Sequence, residues 1–271
     1  MTMHAGLTRR LDWCPDGRMI SAELLKLRTR RGLVAWGLVL TLGTVLARYG
    51  LLAALHEANP VGFIPPGGLR GLANSAALLT GSGVLLAVIT GAIAGTADVD
   101  AGVFGDLATT GRSRYALFAA RVPGGLAFLV PLLAAGYATA VAGSFLFSGP
   151  EPAPTADLVS LGMAWVLVRP ATWFVVALGV ASLVGSRSAA IGIVLGWQFV
   201  VEPVLGVFSA GLGPWRYAGL TAALAQLEPL AFRFDPSPAS ELSATVAAGV
   251  ILAWLVAALA AGAWRTKTRD L

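Results

Sequence analysis

The run from Gly95 to Arg121 sets three carboxylates, Asp98, Asp100 and Asp106, ahead of three cations, Arg112, Arg114 and Arg121, with Val103, Phe104 and Leu107 between them. Acids followed by guanidinium groups in this order do not form a catalytic constellation. They form a charged element with an apolar face. A short helix starting near Asp100 would carry acids at its positive end and an apolar face built from Val103, Phe104 and Leu107, with Gly111 as its stop. Such an element suits docking onto a cytosolic partner; a solvated loop would not need Val103 and Phe104.

A second pair of ionisable residues falls inside apolar sequence. Arg169, followed by Pro170, and Glu202, followed by Pro203, each interrupt a long hydrophobic run. A cation in hydrocarbon needs a partner or water, and each proline loosens the helix that carries it. A pair between Arg169 and Glu202 would neutralise both, either as a gate or substrate contact or as a structural ion pair between neighbouring helices. Arg48 with Tyr49 reads as a snorkelling anchor at an interface.

Other chemistries lack their residues. No G-x-x-x-x-G-K-[ST] loop occurs, and the only lysines are Lys26 and Lys267, so any ATP dependence must come from a partner. Gly81 and Gly83 lack the third glycine of a dinucleotide fingerprint. No G-x-S-x-G occurs. The single cysteine, Cys14, forbids an internal disulfide and any multi-thiolate metal site. His4 and His56 fall on opposite expected sides of the membrane, which excludes a shared metal. No catalytic residue, metal or cofactor is therefore expected.

The elements that must position these residues follow from composition. With 56% hydrophobic and only 12% charged residues over 271 positions, the chain departs from soluble domains, which carry about a quarter charged residues. A spanning helix needs about 20 apolar residues. Six stretches meet or approach that: Leu33 to Leu55, Ser75 to Thr96, Val122 to Phe147, Leu158 to Val184, Ala189 to Phe208 and Leu242 to Trp264. Their hydrophobicity does not alternate as barrel strands require. The expected fold is an all-α membrane protein with six transmembrane helices.

Before the first span, Ile20, Leu24 and Leu27 recur at helical spacing while Glu23, Lys26, Arg28 and Arg30 take other faces. This predicts an amphipathic interfacial helix over 19–31 with its cations toward lipid headgroups; a disordered basic leader is the alternative. Of the 19 lysines and arginines, all but Arg48, Arg70, Arg169, Arg216 and Arg233 collect on the side that holds both termini. By the positive-inside rule that side is cytoplasmic, and the high net charge is a topology signal, not a nucleic-acid footprint. The chain then divides into a leader over 1–18, the interfacial helix, a six-helix transmembrane domain over 32–264 and a cytoplasmic tail over 265–271. Within the domain, 97–114 is a cytoplasmic segment, and 209–241 is an outer loop whose apolar middle, Tyr217 to Leu227, reads as re-entrant or interfacial.

Taken together, the acid-led segment after the second span, Asp100, Gly102, Leu107, Thr110, Ser113, Arg114 and Arg121, resembles the corresponding segment in the membrane subunit of type-2 ABC exporters. Asp100 stands where that family has Glu, and Arg121 where it often has Lys. The basic helix before six spans and the apolar stretch between the fifth and sixth agree with the same resemblance. It implies a plasma-membrane permease subunit that moves a drug, lipid or other amphipathic substrate. It also implies a second permease subunit, identical or related, and two copies of a cytosolic ATPase that binds ATP and magnesium. The segment with Asp100, Val103, Phe104, Leu107, Arg112 and Arg114 would be the coupling helix. Gly91 with Gly95 and Gly192 with Gly196 have the small-xxx-small spacing that lets helices approach in lipid; the resemblance implies the latter pair at a permease dimer contact. The alternative is an ATP-independent secondary transporter or another polytopic membrane protein.

Overall fold

The computed structural model describes residues 15–102, 113–208, 218–229 and 243–268. Among them there is no strand. A first helix, α1 (Gly17–Arg28), precedes six helices long and apolar enough to cross a membrane: α2 (Arg31–Ala58), α3 (Gly68–Asp100), α4 (Arg114–Leu146), α5 (Ala156–Val184), α6 (Arg187–Phe208) and α8 (Ala244–Thr268). An eight-residue helix, α7 (Leu220–Leu227), lies between the last two. The chain is a polytopic helical membrane protein.

The spans overrun the apolar windows at several ends, because helix continues into polar sequence where side chains satisfy it. The largest extension is in α3, which starts at Gly68 and runs through Asp100. Asp98 and Asp100 thus sit at the C-terminal end of a long helix, and the expectation of a short helix starting near Asp100 is corrected. Gly102, at φ +68°, turns the chain out of that helix, a conformation glycine adopts without steric cost. Between α5 and α6 the turn is minimal. Gly185 ends α5 in the left-handed conformation, and the Ser186 hydroxyl accepts from the Ala189 amide to start α6.

The core is the seam of α3 against α5. A Cβ on Gly91 would stand 2.5 Å from the Phe174 carbonyl, and one on Gly95 would stand 2.8 Å from that of Leu178. These two glycines are what allow the two backbones to touch. Around the seam pack Leu86, Phe128, Leu129, Leu133, Tyr137 and Phe174, all buried. Most of the apolar stretch of α3 (72%) and α5 (67%) is buried, against 17%, 11% and 22% in α2, α6 and α8. The latter helices expose Trp36, Leu51, Phe199, Val207 and Leu252, as expected where hydrocarbon is the solvent.

The two ends of the bundle are distinct. At the end away from the termini, the Gly67 amide donates to the Phe147 carbonyl (3.0 Å) and the Leu69 amide to that of Pro152 (2.9 Å), joining the first and second connecting loops. Tyr49 donates to the Ala140 carbonyl (2.9 Å), and Arg48 turns inward to the Ser75 hydroxyl (2.9 Å). Arg48 is thereby a bundle contact, not a free interfacial anchor. At the terminal end, α1 lies directly on α4, where a Cβ on Gly124 would meet the Glu23 Cβ at 2.5 Å.

Candidate functional site

The charged side chains at the terminal end converge on the last turn of α3. Asp98 is 4% exposed, and both its oxygens are used. Lys26 Nζ from α1 lies 2.7 Å from Oδ1, and Arg121 Nη2 from α4 lies 2.8 Å from Oδ2. Lys26 also reaches Glu23 Oε1 at 2.7 Å, so two acids and two cations balance in one cluster. Arg121, 2% exposed, donates as well to the Gly95 carbonyl (3.2 Å), which the Ser182 hydroxyl of α5 also approaches (3.4 Å). Two residues on, Asp100 Oδ2 accepts from Arg187 Nη2 at the start of α6 (2.8 Å) and from Thr96 (3.1 Å).

The helix dipole explains why the cations come here. The C-terminus of α3 carries partial negative charge, and two aspartates add to it. Acidic charge buried at that terminus is costly without a neighbouring cation. Lys26, Arg121 and Arg187 supply three, from three different helices. Burial disfavours the Lys26 ammonium, but the hydrogen bonds to Asp98 and Glu23 and their charges outweigh it and hold its pKa above the ordinary lysine value.

The sequence expected Glu23 and Lys26 on faces turned from the bundle, with cations toward headgroups. The structure corrects this. Glu23 is buried and Lys26 points into the cluster, because Gly124 brings α1 close enough for the lysine to span to Asp98. Arg18 and Arg28 remain exposed. Of the coupling residues named from sequence, Asp100 and Arg114 are placed: Arg114 Nη1 donates to the Lys267 carbonyl of α8 (3.0 Å), and Lys267 Nζ lies over the Tyr115 ring. Val103, Phe104, Leu107 and Arg112 lie outside the described residues.

Arg169 and Glu202 are not ion-paired with each other, which corrects the pairing expected from sequence. Arg169 Nη1 faces Glu228 Oε2 at 3.9 Å, just beyond α7. Glu202 instead closes the N-terminus of α7: Oε1 accepts from the Leu220 amide (2.8 Å) and the Trp197 indole (2.8 Å), and Oε2 accepts from the Thr221 amide (2.8 Å). The physical reason is local. The first amides of a helix have no intrahelical partner and favour an anion, and Glu202 is within reach of them. Glu228 was missed as a partner because it stands in a segment that reads as an outer loop. The Trp254 indole also binds that segment, donating to the Ala218 carbonyl (2.9 Å).

The glycine pairs separate cleanly. Gly91 and Gly95 belong to the internal seam, whereas a Cβ on Gly192 or Gly196 would meet nothing within 4 Å. Among the described residues no group of three His, Cys, Asp or Glu side chains is placed to hold a metal. Compared with protein-family models and with curated proteins, the sequence has no match to either.

Proposed function

We propose that the chain is the membrane-spanning permease subunit of an ATP-binding-cassette exporter. In this reading it lies in the plasma membrane with both termini cytoplasmic. It moves an amphipathic substrate and has no ATPase site of its own. Two copies of a cytosolic ATPase supply the hydrolysis, and a second permease subunit completes the pathway. One observation carries the reading most directly. The residues that lead into the 103–112 connection, Asp98 and Asp100, are ion-paired to α1, α4 and α6 at once. A displacement of that connection would be delivered to four helices, which is what a coupling element has to do. The outward-facing Gly192 and Gly196 and the exposed apolar faces of α2 and α6 suit a contact with a second subunit in lipid.

The test is co-purification from native membranes. A P-loop ATPase should come down with the tagged chain, and Phe104→Asp with Leu107→Asp should lose it while the melting temperature of the purified chain is kept. Unchanged co-purification of the double variant would remove the connection from the contact. Solute movement in vesicles without ATP and ATPase would favour the secondary-transporter reading, to which the membrane-embedded Arg169 and Glu202 and their neighbour Glu228 lend the most support.

A further inference from the structure

At the terminal end of the bundle one cation is left over by the Asp98 cluster. Lys26 spends its charge on Glu23 and Asp98. Arg28, two residues further along α1, is exposed, and no carboxylate among the described residues is ion-paired to it. It lines a cavity of about 480 Å³ between α1, α2 and α4, whose other described walls are Leu24, Val34, Ala127, Phe128, Pro131 and Leu132. One guanidinium thus stands over apolar side chains alone.

The way the helices meet explains the gap. On one side α1 touches α4 at Gly124, where a Cβ would stand 2.5 Å from the Glu23 Cβ. On the other α2 touches α4 at Gly37, where a Cβ would stand 2.8 Å from the Leu132 Cδ1. Between these contacts the chain leaves α1 at Thr29 and starts α2 after Arg30, so neither helix covers Ala127 and Pro131, both exposed on α4. The result is a slot that opens sideways from the bundle. Arg31, one turn before Val34 on α2, is a second exposed cation on the polar side of that slot.

An apolar slot topped by an unpaired guanidinium is complementary to an amphiphile with an anionic head. Arginine meets a phosphate with a fork of parallel N–H donors, and basic pockets between spanning helices bind anionic headgroups. We infer that this slot holds one anionic phospholipid, with its phosphate on Arg28 and an acyl chain along Leu24, Val34, Phe128 and Leu132. A soluble phosphate would leave the hydrocarbon walls bare, and a zwitterionic lipid would bring its own cation to the arginine. The inference concerns a lipid seated between α1 and the bundle and does not depend on an ATPase partner.

The test titrates the full chain, purified in detergent and stripped of lipid, with dioleoylphosphatidylglycerol, dioleoylphosphatidylcholine and glycerol 3-phosphate. Bound molecules are counted by native mass spectrometry. The first phosphatidylglycerol should bind about fivefold more tightly than the first phosphatidylcholine, the increment of one interfacial cation. Glycerol 3-phosphate should not displace it at equal concentration. Arg28→Gln should remove the fivefold preference. Ala127→Trp, which puts an indole into the slot and leaves every cation in place, should weaken the first phosphatidylglycerol at least about tenfold. Arg18→Gln removes an exposed cation of α1 that does not line the slot and should change neither lipid. All three positions are exposed, so the variants keep the fold. Equal affinity for the two lipids, an unchanged Arg28→Gln or Ala127→Trp, an equal loss in Arg18→Gln, or displacement by glycerol 3-phosphate would overturn the assignment.

Discussion

Arg121 Nη2 lies 2.8 Å from Asp98 Oδ2, with side chains 3% and 5% exposed, so α3 and α4 are joined by a charge pair sealed from solvent. Lys26 brings a third helix to the same carboxylate. A buried pair of this kind contributes little over an apolar equivalent, but removing one partner strands the other.

Asp98→Ala is therefore expected to destabilise the chain by about 3–5 kcal/mol, read as a fall in melting temperature in detergent or nanodiscs. Asp98→Leu combined with Arg121→Met should recover much of the loss. A single variant as stable as the parent would show that the pair is not ionised in the folded protein.

The Lys26 contribution has a defined pH window. Its folded pKa is raised above 10.5, so the stability it adds is fully present below that value and is lost as pH climbs through the raised folded value. Stability of the parent relative to Lys26→Met should be constant from pH 6 to about 9 and shrink only at strongly alkaline pH. A difference that varies near neutrality would assign the effect to another group.

Glu202→Ala leaves two amides and an indole without their acceptor, each orphaned buried donor costing about 1–3 kcal/mol. The variant should release α7, raising protease cleavage or hydrogen exchange over 218–229 and leaving α3 and α5 protected. A double-mutant cycle should couple Arg169 to Glu228 more strongly than to Glu202.

Gly95→Val should disrupt the α3–α5 seam and abolish folding of the single chain, because the added methyl groups meet backbone. Gly192→Val and Gly196→Val should leave the melting temperature of the chain unchanged, and any fall in self-association measured by light scattering would place them at a subunit contact. Equal damage at Gly95 and at Gly192 or Gly196 would contradict the packing described above.

The six spans were legible because their apolar runs exceed any soluble element, and the terminal-side clustering of arginines marked the helix ends. The acid-led segment was legible as a place where charges matter, since Asp98, Asp100 and Arg121 stand close together in sequence. What could not be read was direction. Local pattern put Asp100 at a helix start, yet α3 persists through it because Lys26 and Arg187, distant in sequence, neutralise its end. Lys26 looked like a headgroup ligand, and only Gly124 on another helix reveals why it turns inward. The partner of Arg169 was hidden for a similar reason: Glu202 and Glu228 differ only in which lies near the free amides of a helix that forms late in the chain.

The interlocked backbones at Gly91 and Gly95 have a mechanical corollary. Two rods whose main chains touch cannot slide or roll past one another without a steric clash at every glycine, so α3 and α5 behave as a fixed axle. The backbone of α8 is pressed on α5 in the same way, a Cβ on Gly179 running into the Ala258 carbonyl, so a rearrangement would swing α2 or α6 about that axle, and labels placed on those two helices should report it where labels on the axle stay silent.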